Sequence, residues 1–169
     1  MTESLRLMAV LAHPDDETLG NGGTMARYSR EEGVETYLVT ATRGEAGRYG
    51  DGNEHPGPEA LARIREEELR RAAEVLGIRE VRILGYPDGG LDGVDPDEAV
   101  GKIVAELRRV RPHVVLTFDP FGAYGHPDHV AICQLTAGAV TAAADPAYEP
   151  ADPTGAPPPG EEAEGPHGT

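Results

Sequence analysis

The stretch LRLMAVLAHPDDETLGNGG (residues 5–23) changes character in its middle. Residues 5–12 are an apolar run of strand length. His13, Asp15, Asp16 and Glu17 follow at once, and then the glycine-rich GNGG. A nearly continuous apolar run suits a strand covered on both faces, as in a parallel sheet. The charged cluster therefore reads as a loop at the strand's carboxyl end. The glycines permit a tight turn from that loop into a helix. They do not make a dinucleotide fingerprint: HPDDE stands before them instead of GxG, and a pyrophosphate there would meet three carboxylates.

Three more runs repeat the pattern. VETYLVTAT (34–42), EVRILGY (80–86) and HVVLTFD (113–119) read as strands. Helical patterns lie between and after them, at 22–33, 58–77, 95–112 and 127–144. Gly33 and Gly77 are helix stops, Asp95 or Asp97 is a helix cap, and Pro112 is another stop. Alternating strands and helices predict an α/β fold: a Rossmann-like three-layer α/β/α sandwich with a mostly parallel sheet, formed by residues 1–144. Residues 145–169 hold six acids, seven of the fifteen prolines and no Lys or Arg. That segment reads as a disordered loop or tail.

Ligands of such sheets bind beyond the carboxyl ends of the strands. Four polar loops share that edge: AHPDDE, TRGEAGRYG, GYPDGG and DPFGAYGHPDH. Two of them contain His-Pro-Asp. The spacing HxxD in the first (His13, Asp16) and HxxH in the last (His126, His129) suits two turns that converge on one point. Imidazole nitrogens and carboxylate oxygens bind zinc, and three such ligands leave a coordination position open for chemistry. The bland alternative is that the acids cap a helix and the histidines face solvent. Both loops on one edge weigh against it, because adjacent acids repel and need a cation or strong donors if partly buried. The lone Cys133 lies outside both loops and excludes an internal disulfide.

Thirty acids against fifteen bases give a net charge of −15, which disfavours nucleic acids and anionic membranes as partners. No membrane span or signal peptide is evident, and the single cysteine suits a reducing cytoplasm. His55, His113 and His167 need no functional role.

AHPDDETLGNGG, TRGEAG and YGHPDH together resemble the LmbE-like, or PIG-L, family of zinc-dependent N-acetylglucosaminyl deacetylases over about residues 5–144. The stretch RPHVVLTFDPFGAYGHPDHV (111–130) is similar to the mycothiol-pathway deacetylase and amidase branch. The resemblance implies that His13, Asp16 and His129 are the ligands of Zn2+. It implies that Asp15 is the general base. His126 would stabilise the oxyanion, Asp128 would orient His126, and Tyr124 would help polarise the carbonyl. Arg65 and Asp88 fall where the family holds the sugar. The implied reaction is hydrolysis of the amide of an N-acetylglucosamine-type small molecule. Family members continue with more strands and helices, so part of the substrate pocket is expected outside this chain. A non-catalytic metal- or sugar-binding module is the alternative.

Chemistry supports the division of labour. Asp15 can take a proton from water and return it to the leaving nitrogen. A donor such as His126 at the oxyanion is worth about 3 kcal/mol in other amide-cleaving sites. Fe2+ is an alternative ion, since His and carboxylate accept both. A phosphoesterase on the same fold is disfavoured, because the acidic loops offer few donors to a phosphate. An exposed sheet edge would favour a homo-oligomer.

Overall fold

A computed structural model describes residues 4–30, 33–50 and 55–150. The strands are β1 (Arg6–Leu11), β2 (Glu35–Thr40), β3 (Glu80–Ile83) and β4 (Val114–Leu116). They form one sheet in the order β3-β2-β1-β4, with every pairing parallel. The helices are α1 (Asp16–Leu19), α2 (Gly22–Arg30), α3 (Pro58–Leu76), α4 (Pro96–Val110), α5 (Gly122–Gly125) and α6 (Pro127–Ala144).

The continuous apolar run of β1 is explained by its two faces. Met8, Val10 and Ala12 join the core made with α4 and α6, including Ile103, Val104 and Ile132. Leu7, Ala9 and Leu11 join the opposite core with Met25, Leu69 and Ala73 of α2 and α3. Side chains alternate along a strand, so both faces must be apolar when both are covered. The expected three layers follow directly.

The four strands and four long helices lie where the sequence places them, with shorter ends. The 113–119 strand pairs only over Val114–Leu116, and Phe118 turns toward the loop edge. The 22–33 helix is described to Arg30, and residues 31–32 lie outside the described residues. Asp95 is the α4 cap: its carboxylate accepts from the N–H groups of Asp97 and Glu98. That helix stops at Val110, two residues before Pro112, because Arg111 takes a left-handed conformation at φ 54°. Short α1 and α5 are not apparent from periodicity, since four residues show no 3.6-residue repeat.

The start of the acidic segment is held to the body. Arg108 of α4 donates to the carbonyls of Ala142, Ala143, Asp145 and Tyr148. The guanidinium thus satisfies the open carbonyl end of α6, where positive charge is favourable. Residues 151–169, with His167, lie outside the described residues. Among the described residues no helix is long and apolar enough to cross a membrane.

Hydrogen bonds to a charged donor are worth about 1.5–3 kcal/mol each in net stability, and those of one side chain are not additive. Arg108→Ala is therefore expected to cost about 2–3 kcal/mol, read as a lower urea midpoint at unchanged slope.

Candidate active site

The chain leaves β1 at Leu11, winds through β2 and β3 on one side, and returns to β4 on the other. The end of β1 is therefore a topological switch point, where successive loops part and leave a crevice. The loops after β1 and β4 flank it, and these carry the two His-Pro-Asp sequences.

Three ligand atoms meet there. Atoms from His13, Asp16 and His129 all lie within 4.8 Å of one another. His13 Nδ1 is 3.2 Å from His129 Nε2 and 3.7 Å from Asp16 Oδ2. His129 Nε2 is 3.5 Å from Asp16 Oδ1. Asp16 reaches this position because its Oδ2 accepts the His13 backbone N–H at 2.8 Å, which closes the turn around Pro14. The ring of His129 is fixed by Phe118, stacked 3.8 Å away with 7° between planes. Gly122, at φ 69°, lets the β4 loop lie against α6; a Cβ there would sit 3.0 Å from His129 Cβ and 2.9 Å from the Val130 backbone nitrogen.

The electrostatics suit a cation. Burial, followed by the charges of His13 and His126, pushes His129 down to about 4, so it is a neutral imidazole with a lone pair at ordinary pH. Burial raises the Asp16 carboxyl to about 6, against the bonds and charge of His13. Burial also works to lower His13, but hydrogen bonds to Asp88 and Asp128 and the Asp16 charge outweigh it and the shift is upward. Two imidazoles and a buried carboxylate converging on one point are a donor set that a divalent ion such as zinc fits. A second, overlapping group joins His13, His126 and Asp128.

The Asp128 side chain faces His13. Its carboxylate, fully buried, hydrogen-bonds to His13 and not to His126. Oδ2 lies 3.0 Å from His13 Nε2 and accepts the Gly89 N–H at 2.8 Å, and Oδ1 accepts from Leu91 N–H at 3.0 Å. The hydrogen bond between His126 and Asp128 runs to the backbone: His126 Nδ1 accepts the Asp128 N–H at 3.2 Å and caps α6. That bond puts the proton of a neutral His126 on Nε2. The physical reason for the exchange is chain direction. Asp128 sits in the first turn of α6 and points inward to β1, while His126 precedes the helix.

Asp88 also contacts His13, with Oδ1 3.1 Å from Nε2, and its Oδ2 accepts the Ala46 N–H at 2.9 Å. The bond to His13 is the main reason its pKa is lowered. Two carboxylates thus direct His13 Nε2 and leave Nδ1 toward Asp16 and His129. Second-layer acids of this kind orient a ligating imidazole and raise its basicity.

Asp15 lies on the exposed side, with its Oδ2 2.7 Å from Arg65 Nη2. The same guanidinium donates to Pro14 O at 2.7 Å and Gly44 O at 3.2 Å. Gly44 and Gly47 make room for it: a Cβ at either would come within 2.6 Å of Arg65 Nη1. Tyr124 is largely exposed, its ring edge-on to His129 at 5.3 Å and to His126 at 6.0 Å. All nine expected site residues therefore collect at one sheet edge. Phe118, Gly122 and Glu45, whose Oε1 accepts the Asp88 N–H at 2.8 Å, join them. The aromatic at 118 reads as strand from sequence, and only the early end of β4 exposes its contact. His113 and His55 serve the backbone, accepting from the N–H groups of Arg6 and Gly57.

The fold and site define a doubly wound α/β protein with a cluster of His, Asp and His side chains at its switch point, of a kind that could hold a metal ion. A profile of the family described as GlcNAc-PI de-N-acetylase (PIG-L) matches residues 8–140, and the chain belongs to that family. It is 45% identical over 172 residues to a 1D-myo-inositol 2-acetamido-2-deoxy-alpha-D-glucopyranoside deacetylase of Geodermatophilus obscurus, covering 89% of this chain and 58% of that protein. Among solved structures, N,N'-diacetylchitobiose deacetylase from Pyrococcus horikoshii superposes with a TM-score of 0.76 at 29% identity, covering 86% of this chain and 53% of that one. GalB, a 4-carboxy-2-hydroxymuconate hydratase from Pseudomonas putida, gives 0.70 at 26%, covering 87% and 60%. The chain thus spans little more than half the length of these relatives.

Loss of a second-layer partner typically costs 10–100-fold in metal affinity. Asp128→Asn is expected to weaken divalent-cation affinity at this cluster by about that factor, measured by competition for added metal with a chromophoric chelator.

Proposed function

We propose that this chain hydrolyses the N-acetyl amide of an N-acetylglucosamine-type substrate, with His13, Asp16 and His129 holding Zn2+. The observation that carries the reading is the convergence of those three donors beside an exposed Asp15. The curated relatives at 41–45% identity, all named for a deacetylase of the same inositol-linked acetamido sugar, favour that substrate class. The hydratase on the same fold shows that the architecture alone does not select the reaction.

When bound, the ion supplies Lewis acidity, which polarises a carbonyl and lowers the pKa of a water to about 7. The remaining work belongs to side chains. Asp15 accepts a proton from the attacking water and passes it to the nitrogen that leaves as an amine. His126, whose Nδ1 is occupied by the Asp128 N–H, presents Nε2–H as the donor for the developing oxyanion. Tyr124 stands at the mouth and supplies a second donor to the carbonyl. Arg65 and Asp88 hold the sugar hydroxyls, and both are already oriented by protein contacts, so little ordering is required when substrate arrives. Iron(II) satisfies the same donors.

The test is amine release from a panel of N-acetylglucosamine derivatives, the inositol-linked one included, by zinc-loaded protein. A positioned base contributes about 10²–10⁴-fold, so Asp15→Asn is expected to lose that much turnover and keep one zinc. Full turnover in that variant would remove Asp15 from the mechanism. No release from protein holding one zinc would leave a metal- or sugar-binding module.

A further inference from the structure

Glu17 is the most buried acid of the HPDDE run, at 1% exposure, and nothing in the proposed chemistry uses it. Helix-capping acids usually face solvent. This one is turned inward and backward: Oε2 accepts the backbone N–H of Asp15 at 3.0 Å, and Oε1 accepts the Thr18 hydroxyl at 2.6 Å.

The residue it grips is in an unusual conformation. Asp15 has φ 93° and ψ −26°, in the positive-φ region that L-residues avoid. Such a geometry persists only if its surroundings over-determine it. Three contacts do so here. Glu17 holds the N–H, Arg65 holds the preceding carbonyl of Pro14, and the Asp15 carbonyl accepts from Thr18 and Leu19.

The start of α1 is inverted relative to an ordinary cap. An Asp at the N-cap normally spends its carboxylate on the next backbone N–H groups. Asp15 is the N-cap of α1 and makes no such bond. Glu17 supplies an acceptor to the cap residue's own N–H, a half of the reciprocal capping arrangement. The Asp15 carboxylate is thereby left outside the helix and exposed, with its Oδ2 on the Arg65 guanidinium.

We propose that Glu17 is the positioning residue of Asp15: its buried carboxylate fixes the backbone N–H of the base in the left-handed conformation that turns the Asp15 side chain away from the helix and toward the reaction. The inference rests on the deacetylase reading for its kinetic consequence but not for its geometry. Glutamine can take over the role, because its carbonyl oxygen accepts the Asp15 N–H while its amide faces the rotatable Thr18 hydroxyl. Methionine, of similar length, cannot.

The experiment compares Glu17→Met, Glu17→Gln and Thr18→Val. The last removes an exposed hydroxyl that steadies Glu17 and leaves the core intact. For each, kcat and KM are measured on the best N-acetyl substrate, with zinc content and the hydrogen-exchange rate of the Asp15 amide. A misplacement of about 1 Å costs about 10²-fold. Glu17→Met is expected to lose kcat on that scale at unchanged KM, to keep one zinc and to exchange the Asp15 amide faster. Glu17→Gln restores most of the turnover and the slow exchange. Thr18→Val falls between. Wild-type kcat in Glu17→Met, or in Thr18→Val if the methionine variant does not fold, overturns the proposal, as does a Glu17→Gln variant as slow as the methionine one. If wild-type protein releases no amine, the deacetylase reading fails on its own; the Asp15 exchange rate then decides the geometry, and a rate unchanged by Glu17→Met overturns it.

Discussion

The site depends on one feature of chain routing: β1 is paired on both sides, with β2 along one edge and β4 along the other. Because both faces of β1 are also covered, no polar side chain is tolerated along it without a partner. The first residues that can carry chemistry are those just past its end, and His13 is one of them. The neighbouring β4 delivers the second histidine loop to the same place. Two winding directions meeting at one strand end thus bring His13 and His129 together although 116 positions separate them.

Gathering such groups sets up an electrostatic conflict. Asp16, Asp88 and Asp128 surround His13, while burial opposes every charged form. The protein resolves part of this through backbone donors: the N–H groups of His13, Ala46, Gly89 and Leu91 each bind one of these carboxylates. Backbone donors stabilise negative charge without adding a competing cation. Between these acids, His13, Asp16 and His129 turn one donor atom each toward a common point.

Much of this was legible in the chain. Continuous apolar runs identified the strands, and the paired His-Pro-Asp loops pointed to the sheet edge where His13, Asp16 and His129 meet. The finer wiring was not. The family resemblance implies that Asp128 orients His126, two residues before it. Helix geometry sends the side chain inward to His13 instead. Arg65 and Asp15 lie 50 positions apart, and no periodicity links a helix charge to a loop carboxylate. The 3.8 Å stack of Phe118 on His129 follows from where β4 stops pairing, which propensity does not specify.

The buried carboxylate of Asp128 has a consequence for how this chain tolerates change. Loops at sheet edges ordinarily accept insertions and deletions. The segment from Pro87 to Leu91 is an exception, because two of its amides, Gly89 and Leu91, share one carboxylate with His13. A residue added there would withdraw a donor and leave Asp128 free to swing, and His13 with it. Three loops from three strands are knotted through a single side chain, so their lengths cannot drift independently.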